Sequence, residues 1–122
     1  MNGVKYLLDT NYILGLVKGQ QEVVTDITSK GTCGELYGFS SVSRMEALGF
    51  PVISQEEERV ISELLDNLTY YPITINIEIA TIQLRRQYKL KLPDAIILAT
   101  ALTHSLQLLT LDKDLNKYRK LI

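Results

Sequence analysis

The 122-residue chain is most informative first for what it lacks. It has one cysteine, Cys33, so it can form neither an internal disulfide nor a multi-cysteine zinc site, which excludes a disulfide-stapled secreted scaffold and points to a reducing compartment. It has one histidine, His104, late on a helix of buried type, so a Ser-His-Asp relay would have to be built on a residue far from any polar mouth. Apolar runs such as Ala95 to Ala99 fall far short of the roughly 20 residues of a membrane span. Lys5 and Asp9 bracket an N-terminal run too short for a signal peptide. No repeat, low-complexity stretch or linker interrupts the chain, and Gly31, Gly34 and Gly38 lack the spacing of a P-loop or of GxGxxG. The expectation is a single cytoplasmic domain over 1–122, with no membrane association.

Excess charge of either sign is also missing. Thirteen Lys and Arg against fourteen Asp and Glu leave a net charge of −1, neither the basic footprint of a duplex-coating protein nor an acidic tail. That neutrality hides a division. Met1 to Ile75 carry five bases and ten acids, whereas Asn76 to Ile122 carry eight bases and four acids.

Strand-like and helix-like segments alternate along the chain. Val4 to Leu8 reads as a strand, followed at once by a turn and helix start at Asp9-Thr10-Asn11. Tyr37 to Ser43 reads as a second strand, with Ser43 capping a helix that carries Glu46. Ser54 and Glu57 form a capping-box pattern opening a helix to about Asn67. Tyr70 to Ile75 reads as an edge strand beside Pro72, and Ile77 to Tyr88 as an amphipathic helix. Pro93 marks the start of a helix that is apolar nearly all round, and Leu106 to Leu111 reads as a last strand. This order predicts an α/β domain with a mainly parallel sheet.

In such sheets functional groups gather beyond the carboxyl ends of the strands. Four acids fall there: Asp9 after the first strand, Glu46 beyond the second, Asp94 opening the buried helix, and Asp112 after the last strand. Carboxylates in one mouth repel each other, and a divalent cation relieves that repulsion. Oxygen donors without a His or Cys cluster select Mg2+ or Mn2+, which can support water attack on a phosphodiester. Each acid also has a plain structural use: Asp9 as a helix cap, Asp94 on a helix dipole, Glu46 on the surface, and Asp112 with Asp114 as a turn and cap pair. Arg85, Arg86, Lys89 and Lys91 form a basic segment just before Asp94, either an exposed helix end or a hold on substrate phosphates, to which Arg44 and Lys113 could add. Tyr12, Tyr37, Tyr70 and Tyr71 are read as core or interface residues ahead of base-stacking ones.

The segments Leu7-Leu8-Asp9-Thr10-Asn11, Met45-Glu46-Ala47-Leu48, Leu92-Pro93-Asp94-Ala95-Ile96-Ile97-Leu98-Ala99-Thr100-Ala101 and Leu109-Thr110-Leu111-Asp112-Lys113-Asp114-Leu115 together resemble a PIN-domain ribonuclease. In length the chain is similar to the VapC toxins of toxin-antitoxin modules. The resemblance implies a PIN-like α/β/α sandwich, Mg2+- or Mn2+-dependent endoribonuclease activity, and inhibition by a cognate antitoxin. It implies that Asp9, Glu46, Asp94 and Asp112 are the acidic quartet, with Asn11 and Thr110 in supporting positions and Asp114 a second candidate for the fourth acid. It also implies a homodimer, with an antitoxin segment over an apolar face drawn from Ile13, Leu14, Val17, Leu64 and Leu65. Two other readings compete. One is a solitary PIN-family nuclease in RNA processing. The other is a Mg2+-dependent aspartyl-phosphate phosphotransfer module, although Asn11 stands where a hydrolase of that class wants a second Asp.

Overall fold

The computed structural model describes residues 3–121. The expectation of one domain over 1–122 therefore reaches, at Met1, Asn2 and Ile122, outside the described residues. Among the described residues seven α-helices and four strands follow one another as β1 (Tyr6–Leu8), α1 (Thr10–Lys18), α2 (Gln21–Lys30), β2 (Tyr37–Ser40), α3 (Ser41–Leu48), α4 (Gln55–Asp66), β3 (Thr69–Tyr71), α5 (Ile75–Gln87), α6 (Leu92–Thr103), β4 (Gln107–Leu109) and α7 (Lys113–Asn116). The strands form one sheet in the order β3-β2-β1-β4, and every pairing is parallel.

Alternation along the strands divides the core. Leu7 and its neighbour Leu108 face one layer, where they meet Ile77, Leu84, Ile97, Leu98 and Leu115 from α5, α6 and α7. Leu8 and Leu109 face the other, with Tyr37, Phe39, Ile13, Val23, Ile61 and Leu65. Gly38 admits this packing, because a Cβ there would lie 2.4 Å from the Tyr71 ring.

Several local expectations change. The second strand stops at Ser40, and Ser40, not Ser43, caps α3 by accepting a hydrogen bond from the Ser43 amide at 3.2 Å. The third and fourth strands are shorter than their apolar runs, and Pro72 lies just past β3, which is an edge strand. The Ser54–Glu57 capping box forms in both directions. Ile13 and Leu65 are internal, so they do not belong to an apolar face left open for another chain, whereas Leu14, Val17 and Leu64 are only partly covered.

Candidate active site

β1 is flanked by β2 and β4, and the loops leaving their carboxyl ends run into α1, α3 and α7. Asp9 sits at that junction. It caps α1, is 6% exposed, and accepts hydrogen bonds from the Thr10 amide at 2.8 Å and the Thr110 hydroxyl at 2.6 Å.

Thr110 has no freedom to do otherwise. Its oxygen accepts from Asn11 Nδ2 at 3.3 Å and from the Asp112 amide at 3.0 Å, so both lone pairs are taken and its one proton is directed to Asp9. Asn11 also accepts from the Leu111 amide at 3.0 Å, and Asn116 donates to the Thr110 carbonyl at 3.1 Å. Residues about a hundred positions apart in sequence are thus locked around one carboxylate. Asp112 caps α7, with Oδ1 accepting from the Asp114 and Leu115 amides.

Glu46 lies exposed on α3 and accepts from the Thr10 hydroxyl at 2.6 Å. Ser43 Oγ lies 3.1 Å from the same hydroxyl oxygen. Since Thr10 has one proton and the carboxylate is the stronger acceptor, Ser43 donates to Thr10 and Thr10 to Glu46. Asp94 stands in the first turn of α6, half-buried.

All four acids line one cavity of about 520 Å3, together with Asn11, Leu14 and Phe50. Asp94 and Asp112 are also walls of an adjoining cleft of about 250 Å3, which holds Asp114, Lys89, Lys91 and Lys117. Asp112 therefore faces both spaces, and Asp114 lines the cleft. The basic segment divides in the same way. Lys89 and Lys91 border the cleft, while Arg85 and Arg86 lie exposed in the last turn of α5 and line neither space, with Arg85 Nε donating to the Leu90 carbonyl at 3.4 Å. Arg44 is exposed on α3, and Lys113 lines a separate groove. His104 ends α6 beside the Tyr71 ring, and Cys33 is exposed. Tyr12, Tyr37 and Tyr71 are buried, and Tyr70 is exposed.

The mouth is electrostatically uncomfortable. Burial pushes the Asp9 carboxyl above its usual range, more than the Thr110 and Thr10 hydrogen bonds pull it down, and Asp94 and Glu46 push the same way. Asp94 is raised by burial and then by Asp112 and Glu46, against the pull of Lys91. Among the described residues no three His, Cys, Asp or Glu side chains are already drawn into a ready-made metal cage. The donor set is nonetheless all oxygen, and carboxylates that raise one another's proton affinity fit a hard divalent cation that keeps part of its water shell and bridges to spaced ligands.

Thr10, Ser43, Asn116 and Lys117 are contributors that sequence reasoning passes over. The three-residue step from Ser43 to Glu46 on one helix face is the signal available for Ser43. Thr10 shows no signal beyond its place beside Asp9.

The family model of the PIN domain matches residues 6–121. Among solved structures, a toxin-antitoxin complex from Klebsiella pneumoniae is 31% identical over 88% of this chain and 87% of that one, with a TM-score of 0.77. VapBC2 from Rickettsia felis bound to a promoter DNA fragment is 15% identical over 98% and 96%, with a TM-score of 0.79. FitAcB from Neisseria gonorrhoeae is 23% identical over 94% and 93%, with a TM-score of 0.71. The last two are likenesses of fold. No curated protein sequence matches the chain significantly.

Proposed function

The chain belongs to the PIN-domain family, whose members are nucleases that generally use divalent metal ions, and from that premise we propose that it is a Mg2+- or Mn2+-dependent endoribonuclease acting in the cytoplasm as the toxin of a toxin-antitoxin pair. The observation that carries this reading is the convergence of Asp9, Glu46, Asp94 and Asp112 on one cavity, with Asp9 oriented through Thr110.

Asp9, Asp94 and Asp112 would hold the cation, directly or through water. Once bound, the cation supplies a water of lowered pKa and neutralises charge on the leaving oxygen. Glu46, with one oxygen held by Thr10, keeps the other for a cation or for the proton of the attacking water. Lys89 and Lys91, with Arg85 and Arg86 further out, would hold the phosphates flanking the scissile bond. Attack by water on phosphorus with cleavage of the P–O3′ bond, the 3′ oxygen leaving and taking up a proton, would give 5′-phosphate and 3′-hydroxyl ends.

The toxin role is supported by the likeness to toxin-antitoxin complexes. A groove of about 820 Å3 between α1 and α4, lined by Leu16, Val17, Val60, Leu64 and Leu68, is the proposed seat of an antitoxin segment, and the toxin would pair as a homodimer. No helix among the described residues is long and apolar enough to cross a membrane.

The test is cleavage of single-stranded RNA by the purified chain. Activity with Mg2+ or Mn2+, loss of it in chelator, and loss on the order of 10³-fold in Asp9→Asn with folding retained are the expected results. Cleavage by Asp9→Asn at the unsubstituted rate would overturn the assignment. Co-purification of a product of the adjacent gene that restores growth would separate a toxin from a solitary nuclease.

A further inference from the structure

The two edges of the sheet are not alike. β3 is followed at once by Pro72, a residue that discourages a further strand, whereas no proline occurs from Gln107 to Leu111 at the β4 edge. In a parallel ladder alternate residues turn both main-chain groups toward the same neighbour. The Gln107 amide donates to the Lys5 carbonyl at 2.9 Å and the Leu109 carbonyl accepts from the Asp9 amide at 3.0 Å, so Gln107 and Leu109 face β1. Leu108 between them turns its N–H and C=O outward. Its flanks are closed, since the Leu106 amide donates to the Ala101 carbonyl and the Thr110 carbonyl accepts from Asn116.

This outward edge is the floor of a groove of about 290 Å3, formed by Leu108 to Leu111 in succession. One wall carries Tyr12, Glu22 and Lys30 from α1 and α2, and the other carries Lys113, Asn116 and Arg119. Lys30 is met by Asp26 at 2.5 Å, while Lys113 and Arg119 enter no ion pair among the described residues. Glu22 is the one carboxylate among the lining residues. The groove thus offers a main-chain donor and acceptor on its floor and two cations outside any close ion pair on one wall, of which Arg119 also lies within electrostatic reach of Asp26.

We propose that this groove docks an extended, acidic segment of a partner protein, which adds beside β4 by pairing with the main chain of Leu108 and places carboxylates against Lys113 and Arg119. A strand uses both features at once, because its main chain meets the floor while alternate side chains reach the walls. Leu108 alone supplies only one donor and one acceptor, so the cations provide much of the attraction and binding weakens with salt. The proposal is independent of the nuclease reading, since it uses none of the four acids.

The probe is a fluorescein-labelled peptide alternating valine and glutamate, titrated by anisotropy into Asp9→Asn protein so that cleavage plays no part. Saturable binding is expected, weakened about tenfold or more by Lys113→Glu with Arg119→Glu, and likewise by N-methylation of the peptide backbone, which leaves the protein untouched. Binding that ignores both changes, or absence of binding at low salt, overturns the proposal. Displacement by an oligouridylate as effective as the unlabelled peptide also overturns it, in favour of a nucleic-acid groove. Failure here leaves the cleavage test unaffected, and failure of cleavage leaves this test unaffected.

Discussion

Asp9 and Asp26 both hydrogen-bond to α1, and their surroundings drive them in opposite directions. Burial pushes each carboxyl up. At Asp26 the hydrogen bonds from Lys30 at 2.5 Å and from the Tyr12 hydroxyl at 2.7 Å overcome that push, leaving the group below its ordinary value, while burial and then the bond to Asp26 raise the Tyr12 phenol. At Asp9 the donors are two neutral groups and the neighbours include like charges, so burial wins. One carboxylate ties α1 to α2. The other has its ionised form disfavoured by burial and by like charges, and such unrelieved strain between charges is more typical of functional sites than of structural staples.

The contrast can be broken most forcefully at Thr110. Thr110→Val keeps the shape and removes the hydroxyl, leaving Asp9 without its side-chain donor and facing the Asn11 and Asp112 N–H groups with a methyl. Mn2+ affinity measured by titration calorimetry should fall about 10- to 100-fold, in line with other residues that orient metal ligands. Unchanged affinity would mean that Asp9 needs no orienting partner.

Asp26→Asn probes the other region. It should cost about 1 to 3 kcal/mol in urea unfolding through loss of its charge-assisted bonds, while cleavage by the folded protein stays as it was. A fall in cleavage at saturating Mg2+ would erase the distinction between staple and site.

The smallest effect is one of pH. Asp9 and Asp94 have raised values in the folded protein, so just above the ordinary carboxyl value of 3.8 the folded state holds protons the unfolded chain has released, and their contribution to stability falls as pH rises through the raised values. Asp26 has the opposite sign. Its contribution is present above 3.8 and is lost as pH falls through its lowered value. In chelator, Asp9→Asn should therefore flatten the decline of the thermal midpoint as pH rises above 3.8, whereas Asp26→Asn should lessen the loss of stability as pH falls below 3.8. A slope unaltered by Asp9→Asn would show that the mouth stores no such cost.

Much of this was legible along the chain, because alternating apolar segments reflect a buried parallel sheet and Asp, Ser and Pro mark where helices begin. The details that were not legible are those decided across the fold. Ser40, Ser41 and Ser43 offer three hydroxyls within four residues, and β2 ends early enough for Ser40 to cap α3. The hydrogen bond from Thr10 to Glu46 spans 36 positions, and no local pattern announces it. Ile13 and Leu65 looked like an open face because amphipathic spacing marks a buried side without saying what covers it, and here the helices cover one another. Lys89 and Lys91 part company from Arg85 and Arg86 because α5 ends at Gln87, so the chain turns the two pairs toward different surfaces.

The sheet order has a consequence for biosynthesis. β1, which carries Asp9 at its end, is made first of the four described strands, yet its neighbour β4 is made after the other three, and Asp94 and Asp112 both follow α5. A nascent chain complete through α5 contains Asp9 and Glu46 without the other two acids and without Thr110 to orient Asp9. Domains emerge from their N-termini, so the four-carboxylate mouth cannot exist until the segment from α6 to Asp112 has been made. A ribosome producing this protein therefore meets the four acids together only after α6 and β4 have emerged.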